Sequence, residues 1–437
     1  MRLLIVSNIY HPSLSPRAFR WTTLAEHWAS RGHEVDVVCG WKPGLSEDEE
    51  VNGVRIRRVG RGITEALRAR LLGGTGGSAE SSAGAIAPRR SGLRAVAKWV
   101  HDHTWKKLYW PDYACLWCFP ATRACARLLS GRHYDAMISV SDPFTSQIVG
   151  MRLKRRIPSL RWIADIGDPF CYRDRTQTNN HRLYSGLNYA VERRIFRLAD
   201  AISVTTGLTA ARYRELFPES AGKVRVIPPL VSLPVESDVP HQPLFASDGK
   251  IRLVFLGTLY KEIRNPRYLL RLFSRLLQAD IGSRLELHMF GDIHDCGECF
   301  DECGSLMGDK IVLHGLVGRE IAGHALREAD VLVNIGNDTT YQLPSKVVEY
   351  ASTGSRVLNL VKSAEDSSVE FFESYPAALT LVEGDHAPGQ FDELLGFVRD
   401  PRPRVEGQEL ERLLSGFAVE QIADGYIQLL VNREELQ

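Results

Sequence analysis

Ile251-Arg-Leu-Val-Phe-Leu-Gly-Thr-Leu-Tyr-Lys-Glu-Ile-Arg-Asn-Pro266 is the stretch that decides the fold. Its first six residues are an apolar run of strand length, Gly257 ends the run, and Pro266 opens a helical stretch from Arg267 to Leu277. The chain starts the same way, with Leu3-Leu-Ile-Val6 followed by a helical stretch from Phe19 to Arg31. Outward from these two points, short runs alternate with helix-length amphipathic segments. The first series continues through Glu34 to Val38, Ala136 to Val140, Trp162 to Ile166 and Ala201 to Thr205. The second continues through Leu285 to Phe290, Ile311 to His314, Val331 to Ile335 and Val357 to Leu360, with helices at Glu320 to Ala329 and Lys346 to Thr353. Such alternation predicts parallel sheets made of βαβ units, and its restart at Ile251 predicts two doubly wound α/β domains. Ile227-Pro-Pro-Leu-Val-Ser-Leu-Pro234 and Asp238-Val-Pro-His-Gln-Pro243 read as the linker between them. The predicted domains are residues 1–234 and 235–415, with a last helical segment at 416–437.

The composition narrows the function. The chain has 437 residues, 54 Lys plus Arg against 53 Asp plus Glu, and a formal charge of +1, so no overall field favours a nucleic acid. With 44% hydrophobic and 24% charged residues it reads as an ordinary globular protein. The apolar run after Met1 is too short for a secretory signal, which predicts a cytoplasmic location. The eight cysteines are too sparse for a disulfide framework. Residues 61–92, rich in glycine and serine, are expected to form a mobile loop. Residues 89–110 place Arg94, Lys98, Lys106 and Lys107 among Trp99, Trp105, Tyr109 and Trp110. This stretch suits either a membrane surface or a basic helix packed on its own domain.

Two nucleotide-binding motifs fail. Gly74-Thr-Gly-Gly-Ser-Ala79 approaches a dinucleotide fingerprint but follows no strand, and no G-x-x-x-x-G-K-[ST] phosphate loop exists. Nor is there a D-x-D motif, so a bound diphosphate has to be neutralised by side-chain cations and helix termini. The turn after Ile251 to Leu256 carries Lys261 and Arg264 at the carboxyl edge of a sheet. Beyond Val331 to Ile335, Pro344 opens a helix with Ser345, Lys346 and Glu349 in its first turns, the last two on one face. In the first domain His11, Arg17 and Arg20 follow the first strand, where Pro16 marks a helix start and an anion would be welcome.

Taken together, these segments resemble the GT-B glycosyltransferases, and most of all the family 4 type of bacterial sugar transferases. The resemblance rests on Leu3-Leu-Ile-Val-Ser-Asn-Ile-Tyr-His-Pro12, Arg31-Gly-His-Glu-Val-Asp-Val-Val38, Trp162-Ile-Ala-Asp-Ile-Gly-Asp-Pro169 and Ala199-Asp-Ala-Ile-Ser-Val204. Gly257-Thr-Leu-Tyr260, Ala329-Asp-Val-Leu-Val333 and Pro344-Ser-Lys-Val-Val-Glu-Tyr-Ala-Ser-Thr-Gly354 complete it. It implies two Rossmann-like domains facing a cleft, with a nucleotide sugar held by the second and an acceptor by the first. It further implies a last helix that crosses back to the first domain, a hexosyltransferase activity without a metal or other cofactor, and retention of anomeric configuration. Synthesis of a bacterial cell-surface polysaccharide or glycolipid, at the inner face of the membrane, follows from the same likeness.

Carried over by position, the family's diphosphate grip falls on Gly257 to Arg264, with Thr258 in its arginine place, Arg264 as the main cation and Lys261 sharing the charge. Of its two glutamates, eight apart, Glu349 is kept for the ribose and the other is replaced by Tyr341. His314 falls near the nucleotide base. A histidine or arginine usual before Asp168 is replaced by Gly167, which leaves Asp168 to face the sugar or take the acceptor's proton. Arg264 and Lys346 would stabilise the leaving diphosphate. The rival readings are a nucleotide-sugar-binding protein without transferase activity and a nucleotide-sugar epimerase of similar architecture.

One cluster stands outside this pattern. His294, Cys296, Cys299 and Cys303 offer four soft ligands for zinc within ten residues. The cysteines' spacing, i, i+3 and i+7, instead predicts a buried stripe of small apolar groups.

Overall fold

The computed structural model describes residues 1–13, 15–62, 108–173, 177–230, 243–337, 339, 341, 343–384, 389–400 and 404–431. The mobile loop expected from 61 to 92, the basic stretch up to Lys107 and the linker at 231–242 therefore lie almost wholly outside the described residues. The chain divides into two compact units, Met1–Pro228 with Val419–Gln437, and Pro229–Ala418. Among the described residues no helix is long and apolar enough to cross a membrane.

The first unit holds strands β1 (Arg2–Val6), β2 (Glu34–Gly40), β3 (Asp48–Val51), β4 (Val54–Val59), β5 (Ala136–Val140), β6 (Trp162–Ile166), β7 (Ala201–Val204) and β8 (Val224–Val226). They form one sheet in the order β3-β4-β2-β1-β5-β6-β7-β8, parallel except where β3 meets β4. Helices α1 (Pro16–Ser30), α2 (Cys118–Gly131), α3 (Thr145–Arg156), α4 (His181–Leu198) and α5 (Gly207–Leu216) cover it. Leu3 to Val6, and nearly all of β5 and β6, are shut off from water, as expected of parallel strands covered on both faces.

The second unit holds β9 (Ile251–Leu256), β10 (Leu285–Phe290), β11 (Ile311–Gly315), β12 (Val331–Ile335), β13 (Arg356–Val361) and β14 (Ala378–Val382), all parallel, in the order β11-β10-β9-β12-β13-β14. Its helices are α6 (Arg267–Leu276), α7 (Arg319–Glu328), α8 (Ser345–Ser352), α9 (Ser367–Glu373), α10 (Gln390–Arg399) and α11 (Gly407–Leu414). Chain order runs outward from β9 through β10 to β11, then returns to β12 on the other side of β9. The order thus reverses between β9 and β12, and ligands of open α/β sheets bind beyond the carboxyl ends of the strands at such a point.

The last helix, α12 (Val419–Val431), belongs to the first unit. It packs on α1, whose start is set by Ser15, which accepts a hydrogen bond from the Ala18 amide at 3.2 Å, and by Pro16 in the first turn. Trp21 and Trp28, seven residues apart on α1 and so on one face, meet the Tyr426 ring at centroid distances of 5.1 and 6.0 Å. Ring pairs of this kind add about 1 kcal/mol each beyond the area they bury.

Candidate functional site

At the reversal point of the second sheet, the residue after β9 is Gly257, with φ of +147°, a conformation that L side chains rarely adopt. A Cβ there would lie 3.5 Å from Lys346 Nζ and 3.9 Å from Arg264 Nη1, so two cations from different elements converge on the bare backbone of one glycine.

Lys346 enters from the first turn of α8, which begins after Pro344 with no side-chain cap. The residue is only 9% exposed, and Nζ is buried without a hydrogen-bond partner among the described residues. It stands 5.0 Å from the centroid of the Phe255 ring. Burial holds this ammonium well below the ordinary lysine value, and the charge of Arg264 pushes the same way, against a weaker pull from Asp366 and Glu349. Leaving such a group unpaired in a core is costly, so it is a strong mark of an anion site. Arg264 comes from the turn between β9 and α6. Its Nε donates to Asn337 Oδ1 at 2.6 Å and its Nη1 to the Thr258 carbonyl at 3.4 Å, which fixes the guanidinium. Burial lowers its pKa as well.

The frame around the two cations is rigid. Tyr350, one turn beyond Lys346 on α8, donates from its hydroxyl to the Leu256 carbonyl at 3.0 Å and accepts from the Leu256 amide at 3.0 Å, tying the helix to the end of β9. Gly291, after β10, has φ of +126°, and a Cβ there would fall on the Gly257 carbonyl. Sequence reasoning missed Asn337, Tyr350 and Gly291. The glycine ending an apolar run was a usable signal, whereas nothing local marked the other two.

The remaining expected donor residues are placed as follows. Ser345 is the first residue of α8 and Glu349 lies a turn beyond it, both half-buried, while Tyr341 is buried in the loop before the helix. His314 is the next-to-last residue of β11, exposed, with its ring flat on Phe290 at 4.0 Å. Lys261 does not join the pair: its Nζ reaches Glu298 at 2.6 Å on the exposed side of the turn. The expected sharing of charge by Lys261 is thus corrected by a nearer carboxylate.

In the first unit the loop after β6 carries Gly167 and Asp168. A Cβ on Gly167 would lie 2.5 Å from Arg17 Cζ, so the guanidinium fills the space a side chain at 167 would need. Arg17 pairs with the buried Asp165, which also accepts from the Tyr426 hydroxyl at 2.6 Å and the Ser203 hydroxyl at 2.8 Å. Burial pushes the Asp165 carboxyl up, but Arg17 and Arg20 outweigh it and the net direction is down. Arg20 is buried and donates to the Ile227 and Pro228 carbonyls and to Tyr426. The expectation that it meets an anion gives way to this role in docking α12. His11 lies in the loop after β1, where its carbonyl accepts from Arg58 Nη2 at 3.0 Å.

Asp168 stands 3.0 Å from Arg173 Nη2, and Arg173 reaches Asp142 at 3.4 Å. Burial first, and the Asp142 carboxylate second, push the Asp168 carboxyl up to about 7 despite Arg173. A carboxyl in that range takes or gives a proton near neutrality.

Cys296, Cys299 and Cys303 are buried in the core of the second unit, whereas His294 is turned toward Asp295 at 3.2 Å. Among the described residues no three His, Cys, Asp or Glu side chains converge as a metal ion needs. The set read as possible zinc ligands is therefore split between core and surface.

Residues 18–229 match the family of the glycosyl transferase 4-like domain. The fold is similar to that of sucrose-phosphate synthase from Thermosynechococcus elongatus, at 16% identity, 98% of each chain covered and a TM-score of 0.62. It is similar to the catalytic domain of starch synthase IV from Arabidopsis thaliana bound to ADP and acarbose, at 9% identity, 98% of each chain and 0.62. WaaG, a glycosyltransferase involved in lipopolysaccharide biosynthesis, is similar at 11% identity, 98% of this chain, 100% of that one and 0.54. No curated protein matches the chain in sequence.

Proposed function

We propose that this protein, a chain of the GT-B glycosyltransferase fold with a glycosyl transferase 4-like domain at residues 18–229, moves a sugar from a nucleoside diphosphate donor to a glycan or lipid-linked acceptor. The observation that carries the reading is Lys346, a buried ammonium with no hydrogen-bond partner among the described residues, set beside Arg264 against the bare backbone of Gly257. Breaking the bond between an anomeric carbon and a diphosphate leaves growing negative charge on the departing oxygen. Two fixed cations and the amides at the start of α8 answer that charge without reorganising, which is the largest kind of catalytic effect. In this reading no step is given to a divalent ion or other cofactor. Ser345 and Glu349 line the same helix start, where Glu349 accepts hydrogen bonds from sugar hydroxyls of the nucleotide.

Asp168 takes the acceptor's hydroxyl proton or steadies positive charge on the sugar ring. Retention of configuration, a cell-surface polysaccharide or glycolipid as product, and a peripheral place on the inner membrane belong to the same proposal. They are supported by the likeness and by the basic, tryptophan-rich sequence at 89–110. Incubation with a panel of nucleoside diphosphate sugars, with and without lipid-linked acceptors, tests it. Release of nucleoside diphosphate only with acceptor supports transfer, donor consumption without acceptor supports an epimerase, and binding without turnover in either case removes the transferase reading.

A further inference from the structure

The ends of β9, β10 and β11 make a ledge. Gly257, Gly291 and Gly315 follow one another across it, with φ of +147°, +126° and +67°. They are joined by Gly257 N–H to the Phe290 carbonyl at 2.8 Å and Gly291 N–H to the Gly315 carbonyl at 2.7 Å. Three glycines leave this edge bare of side chains. At one end stand Lys346 and Arg264. Two strand spacings away, roughly 10 Å, stands His314. A nucleoside diphosphate laid along the ledge with its phosphates on the cations brings its base to His314.

His314 is placed with more care than a strand end requires. The β10 and β11 register shifts between Met289 and Phe290, so His314 is the extra residue of a bulge, a device that re-aims a side chain. Its ring lies flat on Phe290, and its Nε2 is 2.9 Å from His288 Nδ1. His288 Nε2 in turn is 3.1 Å from Glu286 Oε2. Glu286 pairs with Lys250, and Arg252 Nε lies 3.2 Å from it; burial pushes its carboxyl up, but Lys250, His288 and Arg252 hold it down, so it only accepts. His288 must then donate from Nε2. Desolvation lowers both imidazoles, and in their neutral forms the 2.9 Å contact has His288 Nδ1 accepting from His314 Nε2–H. By elimination Nδ1 of His314 carries a lone pair, and Glu286 and His288 act as positioning residues that fix this tautomer.

We infer that His314 determines base specificity: its Nδ1 meets the ring nitrogen at the centre of the base's pairing edge, favouring bases with N–H there (uracil, thymine, guanine) over those with a lone pair (adenine, cytosine). This rests on the donor reading above. A site that offers a hydrogen-bond acceptor rejects a ligand that brings a second acceptor to it, because both lone pairs are then left unpaired.

Calorimetric titration of the full chain with UDP, GDP, ADP and inorganic pyrophosphate tests the inference, on the wild type and on His314→Ala, His314→Gln and His288→Phe. The expected result is UDP or GDP binding at least tenfold tighter than ADP. His314→Ala and His288→Phe should bring that ratio close to one while leaving pyrophosphate affinity within about twofold, and His314→Gln, which keeps an acceptor, should restore part of it. ADP binding as tightly as both others in the wild type, an unmoved ratio in His314→Ala, or loss of pyrophosphate binding in that variant each overturns the inference. If pyrophosphate binds but no base is preferred, only the base assignment fails; if no diphosphate binds the wild type, the donor reading fails with it.

Discussion

The guanidinium of Arg17 occupies the space above Gly167, with Cζ 2.5 Å from where a Cβ on that glycine would sit. A side chain at 167 therefore has to displace the end of the Arg17 side chain, which pairs with Asp165. Gly167→Ala should push the guanidinium off Asp165 and leave a buried carboxylate short of its partner. Breaking a buried pair costs about 3–5 kcal/mol, so denaturant unfolding of Gly167→Ala should show a loss of at least about 2 kcal/mol. A change within experimental error would mean that Arg17 moves freely and that its pairing is incidental.

The Asp168 carboxyl is held high by burial and by Asp142, so at pH 6 it is mainly protonated and carries no charge for the reaction. If it acts as a base, kcat/KM should rise with pH through about 7. Asp142→Asn removes one of the two causes and should move the rise to lower pH, leaving burial to hold the rest. The effect on stability has the opposite sign: a raised carboxyl favours the fold fully only below the ordinary carboxylate range, and this contribution is lost as pH rises through the raised value. A pH profile that Asp142→Asn leaves in place would remove Asp142 from the account.

Lys346 has a cost that its function explains. Its folded-state pKa is depressed, so its charged form opposes folding below that value and the penalty fades as pH rises toward the ordinary lysine range. Lys346→Met fills the same volume without the charge and should raise stability by about 1–3 kcal/mol while losing diphosphate affinity. A destabilised Lys346→Met would show that the ammonium is satisfied in the free protein.

Both sheets were legible in the sequence because parallel strands buried on two faces read as unbroken apolar runs, as Leu3 to Val6 and Ile251 to Leu256 do. Arg264 and Lys346 were legible because each follows such a run into a helix start. What sequence did not show was the use of charges near those starts. Lys261 and Arg264 sit three apart in one turn, yet only the fold tells that Glu298 captures one and Asn337 fixes the other. Arg17 and Arg20 were alike on paper, and a partner more than 400 residues away, Tyr426, separates them. The proton-sensitive setting of Asp168 was likewise hidden, since it depends on Asp142 from the loop after β5.

The most direct measurement is calorimetric titration of a nucleoside diphosphate into the wild type, Lys346→Met and Arg264→Met. Each variant is expected to lose about thirtyfold or more in affinity, the worth of a charged buried hydrogen bond. Equal affinity in all three proteins would contradict the two-cation grip.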